Sequence, residues 1–138
     1  MNDLLEKAIE SIKPDEGFRS KPYRCTAGKL TIGYGRNIED VGIFRHEAEV
    51  LLTNDIHDCI EDLLTFQYWT DLETRQQVAL INMRFCLGPR RFRQFRRMNR
   101  ALELGDYQTA AAELLDSKFA RQVGKRADRL AAELCLIV

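Results

Sequence analysis

The sequence predicts an α+β protein that is mostly helical, with a small sheet near the N-terminus and a larger helical part after it. Apolar residues recur at helical spacing over most of the chain, which is the pattern of amphipathic helices. Glycines and strand-forming residues cluster instead between positions 17 and 36, as in short strands joined by tight turns. The chain of 138 residues is long enough for one domain of ordinary size.

Composition excludes several classes of protein. The chain is 45% hydrophobic and 30% charged, which is too apolar for a disordered protein. No stretch approaches the roughly 18 uninterrupted apolar residues of a transmembrane helix. The segment Met1–Lys7 has neither a basic start nor an apolar run, so we expect no cleavable export signal.

The first predicted helix covers residues 3–13 and ends near Pro14, because a proline disfavours helical geometry in the residue before it. Its inward stripe is formed by Leu4, Leu5, Ala8, Ile9 and Ile12. Residues 17–36 contain four glycines and the strand-like run Lys29–Tyr34. This composition predicts a small hairpin or meander.

A longer helix is predicted at about 45–64. Its start is poorly capped, since Phe44 stands where Ser or Asp is preferred. Its inward residues are Ala48, Leu52, Ile56, Cys59, Ile60 and Leu63. Thr70-Asp71-Leu72-Glu73 has the capping-box pattern and predicts the start of a helix that ends at Gly88. The next helix is predicted through 92–102, and it is followed by a helix capped by Asp106, a short helical stretch before Gly124 and a final helix at 125–136.

We expect residues 1–138 to form a single domain with two lobes that share a cleft. In this prediction, the small lobe and a connecting helix comprise approximately residues 14–64. The helical lobe comprises approximately residues 1–13 and 65–138. The sequence shows no internal repeat and no flexible linker between these parts.

The net charge is zero, but the charges are unevenly distributed. Residues 1–82 carry 9 basic and 15 acidic side chains, and residues 83–138 carry 12 and 6. The basic excess is concentrated in Arg84, Arg90, Arg91, Arg93, Arg96, Arg97 and Arg100. This distribution indicates either contact with a polyanion or anionic surface, or a solvated helix face together with charge attraction between the lobes.

The four cysteines show no metal-binding pattern. None belongs to a C-x-x-C pair, and the chain has only two histidines, so we expect neither a metal nor another cofactor. Cys59, Cys86 and Cys135 lie in apolar helical patterns and are expected to be buried thiols, with a disulfide among them left open. Cys25 lies in a polar, turn-rich stretch, where burial explains it less well.

Three residues of the turn-rich segment could act together in catalysis. Glu16 lies just past a helix end, Cys25 follows nine residues later, and Thr31 six residues after that. A carboxyl group beside Phe18 and Tyr23 would be desolvated and suited to donate a proton, while a thiol and a hydroxyl can hold a water. The alternative is that Glu16 caps or salt-bridges a turn and Thr31 is only a strand residue.

These residues stand in a pattern that resembles the active-site signature of the phage-type lysozymes, glycoside hydrolase family 24. The pattern comprises Glu16-Gly17-Phe18-Arg19, then Tyr23 to Gly28, then Thr31-Ile32-Gly33-Tyr34-Gly35. The likeness continues through Ala79–Phe85 and Gln122–Ala127. It implies a lysozyme-like fold, with a small α/β lobe and a helical lobe on either side of a cleft.

The resemblance also implies the reaction. These enzymes cleave the β-1,4 bond between N-acetylmuramic acid and N-acetylglucosamine in peptidoglycan. Glu16 would protonate the leaving oxygen, and Cys25 and Thr31 would hold the attacking water. Family members with aspartate in place of Cys25 invert the anomeric carbon. A thiol at this position could instead attack covalently and give retention, so the stereochemistry stays open.

Further roles are implied for five residues. Arg126 matches the arginine that pairs with the catalytic glutamate and tunes its pKa. Asp55 matches an aspartate bound to a histidine, and because Arg36 stands at the histidine position, we expect an Arg36–Asp55 pair. Asn82 and Phe85 match residues near the floor of the sugar cleft, where a helix-packing role is an equal alternative.

The resemblance implies a lytic protein of a phage or prophage, either free or virion-associated, that remains in the host cytoplasm until release. Its partners would be the cell wall and a membrane-permeabilising protein, and we expect a monomer that binds no nucleic acid. Three other functions compete with this one. A lytic transglycosylase would use the same acid without water, an Arg-rich helical protein would bind nucleic acid, and a non-catalytic wall-binding relative would lack Glu16 or Thr31.

Overall fold

The computed structural model describes residues 2–137. Its helices are α1 (Asn2–Glu16), α2 (Arg45–Leu63), α3 (Thr74–Leu87), α4 (Pro89–Arg93), α5 (Arg96–Glu103), α6 (Tyr107–Leu115), α7 (Lys118–Val123) and α8 (Lys125–Leu134). Its strands are β1 (Arg19–Arg24), β2 (Leu30–Gly33) and β3 (Arg36–Asn37). The predicted class, α+β and mostly helical, is confirmed.

The chain divides into two compact units, Met1–Val50 and Leu51–Val138. The first contains α1, the sheet and the beginning of α2, and the second contains the rest of α2 and the later helices. The predicted lobe boundaries, with residues 1–13 joining 65–138, stay a prediction. Within residues 2–137, no helix combines the length and the apolar character needed to cross a membrane.

Helix α1 is longer than the sequence predicts. It continues through Pro14 to Glu16, and the amide of Gly17 closes its last turn by donating to the carbonyl of Lys13 at 2.8 Å. The expected inward stripe is wrong as well, since no α1 residue is buried and Leu4 is 71% exposed. The strand that follows, β1, is also exposed at five of its six residues, so α1 and β1 do not bury each other's side chains.

The three strands form one antiparallel sheet in the order β1-β2-β3, which confirms the predicted meander. Tyr23 pairs with Thr31 between β1 and β2, and Ile32 pairs with Arg36 between β2 and β3. The tight turn between β2 and β3 uses Gly33 and Gly35, which have φ angles of 70° and 74°. Such angles are strained for residues that have a Cβ.

Helix α2 is capped differently from the prediction. No Ser or Asp precedes it, but the amide of Phe44 donates to Oε1 of Glu47 at 2.7 Å, so the glutamate side chain supplies the missing cap. Of the expected inward residues, Cys59 and Leu63 are buried, whereas Leu52 is 45% exposed.

The second unit holds the hydrophobic core. Its large buried side chains include Leu63, Trp69, Leu80, Met83, Phe92, Met98, Leu102, Leu114, Phe119 and Leu134. Two polar side chains are satisfied inside it. The hydroxyl of Tyr68 donates to Asn99 at 2.6 Å, and Nε2 of Gln76 donates to the carbonyl of Leu134 at 2.8 Å. The second bond ties α3 to α8.

Two predicted helix boundaries are wrong. Helix α3 starts at Thr74, and its cap is formed when the amide of Glu73 donates to Oε1 of Gln76 at 2.9 Å. The predicted helix through 92–102 is interrupted between α4 and α5. Asn99 connects the two sides of the interruption, because its Nδ2 donates to the carbonyls of Phe92 and Phe95 at 3.3 and 3.0 Å, in addition to the backbone amides that those carbonyls accept from.

Candidate active site

The sheet brings Cys25 and Thr31 together. Thr31 faces Tyr23 across the β1–β2 pair, and Cys25 lies two residues beyond Tyr23, on the same face of the sheet. The amide of Cys25 donates to the carbonyl of Lys29 at 3.0 Å, which holds the turn closed. The two side chains that the sequence predicts as a water-holding pair are therefore neighbours.

The hydroxyl of Thr31 is oriented by its own strand. Thr31 is 3% exposed, and its Oγ1 donates to the carbonyl of Lys29 at 2.8 Å. A carbonyl oxygen can only accept, so the hydroxyl proton is committed to this bond. The remaining lone pairs of Oγ1 can accept a hydrogen bond from a water.

The turn around Cys25 stabilises the thiolate. Hydrogen bonds from the backbone at Lys29 and Ala27 lower the pKa of the Cys25 thiol below its ordinary value. Partial burial opposes this lowering of the pKa but is a smaller influence than the two backbone bonds. A thiolate is a better proton acceptor and a better nucleophile than a neutral thiol.

Glu16 is the last residue of α1, and its carboxylate lies against the backbone of Gly35. A Cβ atom placed on Gly35 would lie 2.5 Å from Oε2 of Glu16. The predicted desolvation of Glu16 by Phe18 and Tyr23 is wrong, because Glu16 is exposed and Phe18 is 65% exposed. The Phe18 ring instead contacts Tyr34, with 5.6 Å between ring centroids.

Residues 13–132 match the sequence model of the phage lysozyme family. The chain belongs to the phage lysozyme family. It is therefore a lysozyme, a peptidoglycan-lytic enzyme that acts on glycosidic bonds, and the predicted family and enzyme class are confirmed. Glu16, Cys25 and Thr31 all lie inside the matched region.

Curated relatives support this assignment. The lysozyme is 37% identical over 127 residues to an endolysin of Acyrthosiphon pisum secondary endosymbiont phage 1, covering 89% of this chain and 85% of the relative. It is 29% identical to the pre-baseplate central spike protein Gp5 of Enterobacteria phage T4, covering 88% of this chain and 26% of that protein. It is 26% identical to a probable T4-type lysozyme 2 of Dictyostelium discoideum, covering 92% of each.

Arg36 of this lysozyme binds a different partner from the expected one. Its guanidinium donates to both carboxylate oxygens of Glu47, at 3.0 and 2.7 Å. Glu47 stands eleven residues away along the chain, at the start of α2. The predicted Arg36–Asp55 pair would join residues of different units and stays a prediction. Asp55 is exposed on α2.

Three further predicted residues lie together in the second unit. Nε and Nη2 of Arg126 donate to Oδ1 of Asn82 at 2.9 and 2.7 Å. Both residues line a cavity of about 240 Å³ together with Phe85. Asn82 and Phe85 lie on the exposed side of α3, away from the core, which disfavours a packing role. The predicted pairing of Arg126 with Glu16 stays a prediction.

The arginine-rich run serves two purposes in this lysozyme. Arg84 and Arg93 bind Asp62, with shortest contacts of 2.7 and 2.6 Å. These bonds, the one from Arg93 foremost, lower the pKa of Asp62. Within residues 2–137, no carboxylate lies within salt-bridge distance of the exposed arginines at 90, 91, 96 and 97. Two arginines of the run therefore hold α2 through Asp62, and the four exposed ones form a solvated surface.

All four thiols are free, but they are not equally buried. Cys59 is buried and Cys135 is half-buried, whereas Cys86 is exposed. The expectation of three buried thiols is therefore wrong for Cys86, which lies on the same outward side of α3 as Phe85.

Sequence reasoning missed two residues of the first unit. Glu47 looked like an ordinary acid in the first turn of a helix, although its position three residues after the poorly capped Phe44 was a usable capping signal. Gly35 looked like a turn glycine only. Its contact with Glu16 depends on tertiary structure and has no local signal.

Proposed function

We propose that this lysozyme is a muramidase that hydrolyses the β-1,4 bond between N-acetylmuramic acid and N-acetylglucosamine. Glu16 donates its proton to the glycosidic oxygen as the bond to the anomeric carbon breaks. A water then forms the new bond to that carbon and completes the hydrolysis. The main support is the Cys25–Thr31 pair, which offers a thiol of lowered pKa beside a hydroxyl oxygen that can only accept.

The water has an acceptor for each of its protons. One is held by Oγ1 of Thr31, whose own proton is bound to the carbonyl of Lys29. The other passes to the Cys25 thiolate as the water attacks, and the thiol later returns it through solvent to the carboxylate of Glu16. We propose that the attack comes from the face opposite the leaving group and inverts the anomeric carbon. A threonine oriented in this way has little purpose beside a covalently attacking thiol.

A product analysis separates the candidate reactions. Purified peptidoglycan digested in isotope-labelled water should give fragments that carry the label and a reducible end. A lytic transglycosylase would instead give unlabelled anhydro products, because the muramic acid closes on itself. A first-formed α anomer supports inversion, and a β anomer would overturn the mechanism but not the lysozyme assignment. The Glu16→Gln variant is the control, and it should release neither product.

We also propose how the enzyme reaches its substrate. The protein is held in the host cytoplasm and reaches the wall only when a separate membrane-permeabilising partner acts. Gram-negative cells treated with chloroform should then lose turbidity on addition of the protein, whereas intact cells should not. Lysis of intact cells by the protein alone would overturn this proposal.

We further propose that the arginine-rich run does not bind nucleic acid. We also propose that the enzyme works as a monomer. Two of the seven arginines of the run are already committed to Asp62, which reduces the charge available to a polyanion. Tight DNA binding with a steep salt dependence would contradict the first point. A dimer in light scattering under reducing conditions would contradict the second.

A further inference from the structure

Gly35 differs from the other glycines of the chain in what surrounds it. All eight glycines lie within residues 2–137 and have positive φ angles. At seven of them, a Cβ atom would meet no heavy atom within 4 Å. At Gly35 it would lie 2.5 Å from Oε2 and 2.7 Å from Cδ of Glu16. Both distances are shorter than any real contact of a Cβ atom.

We propose that Gly35 is a positioning residue for the catalytic acid. The inference rests on the proposed function, in which Glu16 donates the proton. Because Gly35 has no side chain, the carboxylate of Glu16 can rest directly on the turn between β2 and β3. The same strand β2 carries Thr31, so one segment of chain positions both the acid and the residue that holds the water.

The Glu16 atoms nearest to Gly35 indicate that a side chain at position 35 would affect catalysis more than folding. The nearest neighbours of an added Cβ atom are the end of the flexible Glu16 side chain, not backbone atoms. The fold can therefore accept the substitution when the carboxylate rotates away. The expected damage is to the placement of the proton donor, beyond the backbone strain that any residue meets at this φ angle.

Gly33 provides a matched control in the same turn. Its φ angle is 70° against 74° for Gly35, and a Cβ atom there would meet nothing within 4 Å. The variants Gly33→Ala and Gly35→Ala should thus carry similar backbone strain and show similar losses in Tm. In the space around an added Cβ atom they differ by the contact with Glu16.

The deciding measurements are kcat, KM and the pH profile of peptidoglycan cleavage. Gly35→Ala should lower kcat about 10²-fold, the usual cost of misplacing a reacting group by about an ångström, with little change in KM. It should also shift the limb of the pH profile that reports the acid, whereas Gly33→Ala should not. Equal effects of the two substitutions on kcat and on the pH profile would overturn the inference.

A double-mutant cycle with Glu16→Asp tests the contact itself. The shorter side chain withdraws the carboxylate from the turn, so Gly35→Ala should cost much less in the Glu16→Asp background than in the wild type. Additive losses would contradict direct contact. If an alanine variant does not fold, Gly33→Asn and Gly35→Asn replace the pair, because asparagine tolerates positive φ angles better.

Failure of this inference can be distinguished from failure of the proposed function. If folded Glu16→Gln retains activity, Glu16 is not the acid, and both are overturned. If Glu16→Gln is inactive but the two glycine variants behave alike, only the role of Gly35 is overturned.

Discussion

Arg36 and Glu47 are joined by two parallel hydrogen bonds, from Nη1 to Oε1 and from Nη2 to Oε2. The same arginine donates to the carbonyl of Gly42 at 3.0 Å, and the same carboxylate caps the amide of Phe44. One ion pair thus connects strand β3, the loop after it and the first turn of α2. Such two-point pairs fix orientation as well as distance.

This pair should make stability depend on acid pH. The bonds from Arg36 lower the pKa of Glu47 from 4.5 to about 2. A lowered carboxyl pKa stabilises the fold above the ordinary pKa, and the contribution is lost as the pH falls from about 4.5 toward 2. The Tm difference between wild type and Glu47→Gln should therefore be largest at neutral pH and disappear in strong acid. Glu61→Gln, an exposed change on the same helix, is the control. A pH-independent difference would contradict the prediction.

The acid and the arginine should contribute unequally to activity. We expect Glu16→Gln to lower activity by at least about 10²-fold while keeping the fold, because an amide cannot donate the proton. Arg126→Ala should cost less, since its role is to position and tune. Because Arg126 donates twice to Asn82, the losses from Arg126→Ala and Asn82→Ala should not add. Turbidity assays on folded variants measure all of these effects, and a larger loss for Arg126→Ala would show that its role is misjudged.

Variants of Cys25 should separate a water-holding thiol from a covalent one. We expect Cys25→Asp to be active, because a carboxylate accepts the water's proton, and Cys25→Ser to be weaker. Iodoacetamide should inactivate the enzyme by alkylating Cys25, even at a pH where an ordinary thiol is protonated, because its pKa is lowered. The Cys86→Ser variant excludes an effect at the exposed thiol. A glycosyl adduct on Cys25, detected by mass spectrometry, would establish the covalent mechanism instead.

The buried bond between Tyr68 and Asn99 should matter for stability. Tyr68→Phe removes the donor and leaves an oxygen of Asn99 unsatisfied in the core, at a cost of about 1–3 kcal/mol. Tyr107→Phe is the matched control, since Tyr107 is half-buried against the same core and no hydrogen bond of its hydroxyl is seen within residues 2–137. Thermal unfolding should show a lower Tm for Tyr68→Phe only. Equal Tm values for the two variants would contradict this account.

Sequence patterns predicted the elements well where local chemistry decides them. The meander follows from its glycines and from the run Lys29–Tyr34, and the end of α3 follows from Gly88, whose amide closes the last turn on Arg84 at 2.8 Å. The placement of Cys25 beside Thr31 also follows from sequence, since a short turn between two antiparallel strands brings their ends together.

The errors arose where individual side-chain or backbone contacts, which a residue pattern does not specify, decide the outcome. Pro14 removes one backbone donor from the last turn of α1, but the helix continues to Glu16 and the amide of Gly17 closes that turn on the carbonyl of Lys13. The interruption between α4 and α5 depends on the Asn99 side chain, which no local pattern reveals. The bond from Arg36 to Glu47 was not predicted, because the resemblance pointed to Asp55 and the capping role of Glu47 gave no sign of a second partner.

The exposure of Cys86 has a practical consequence for handling the protein. A thiol at the surface can form a disulfide with the same residue of a second molecule when the buffer is oxidising. Concentrated samples stored without reductant should then acquire covalent dimers that disappear with dithiothreitol and are absent from Cys86→Ser. The same position is a convenient point for attaching a fluorophore.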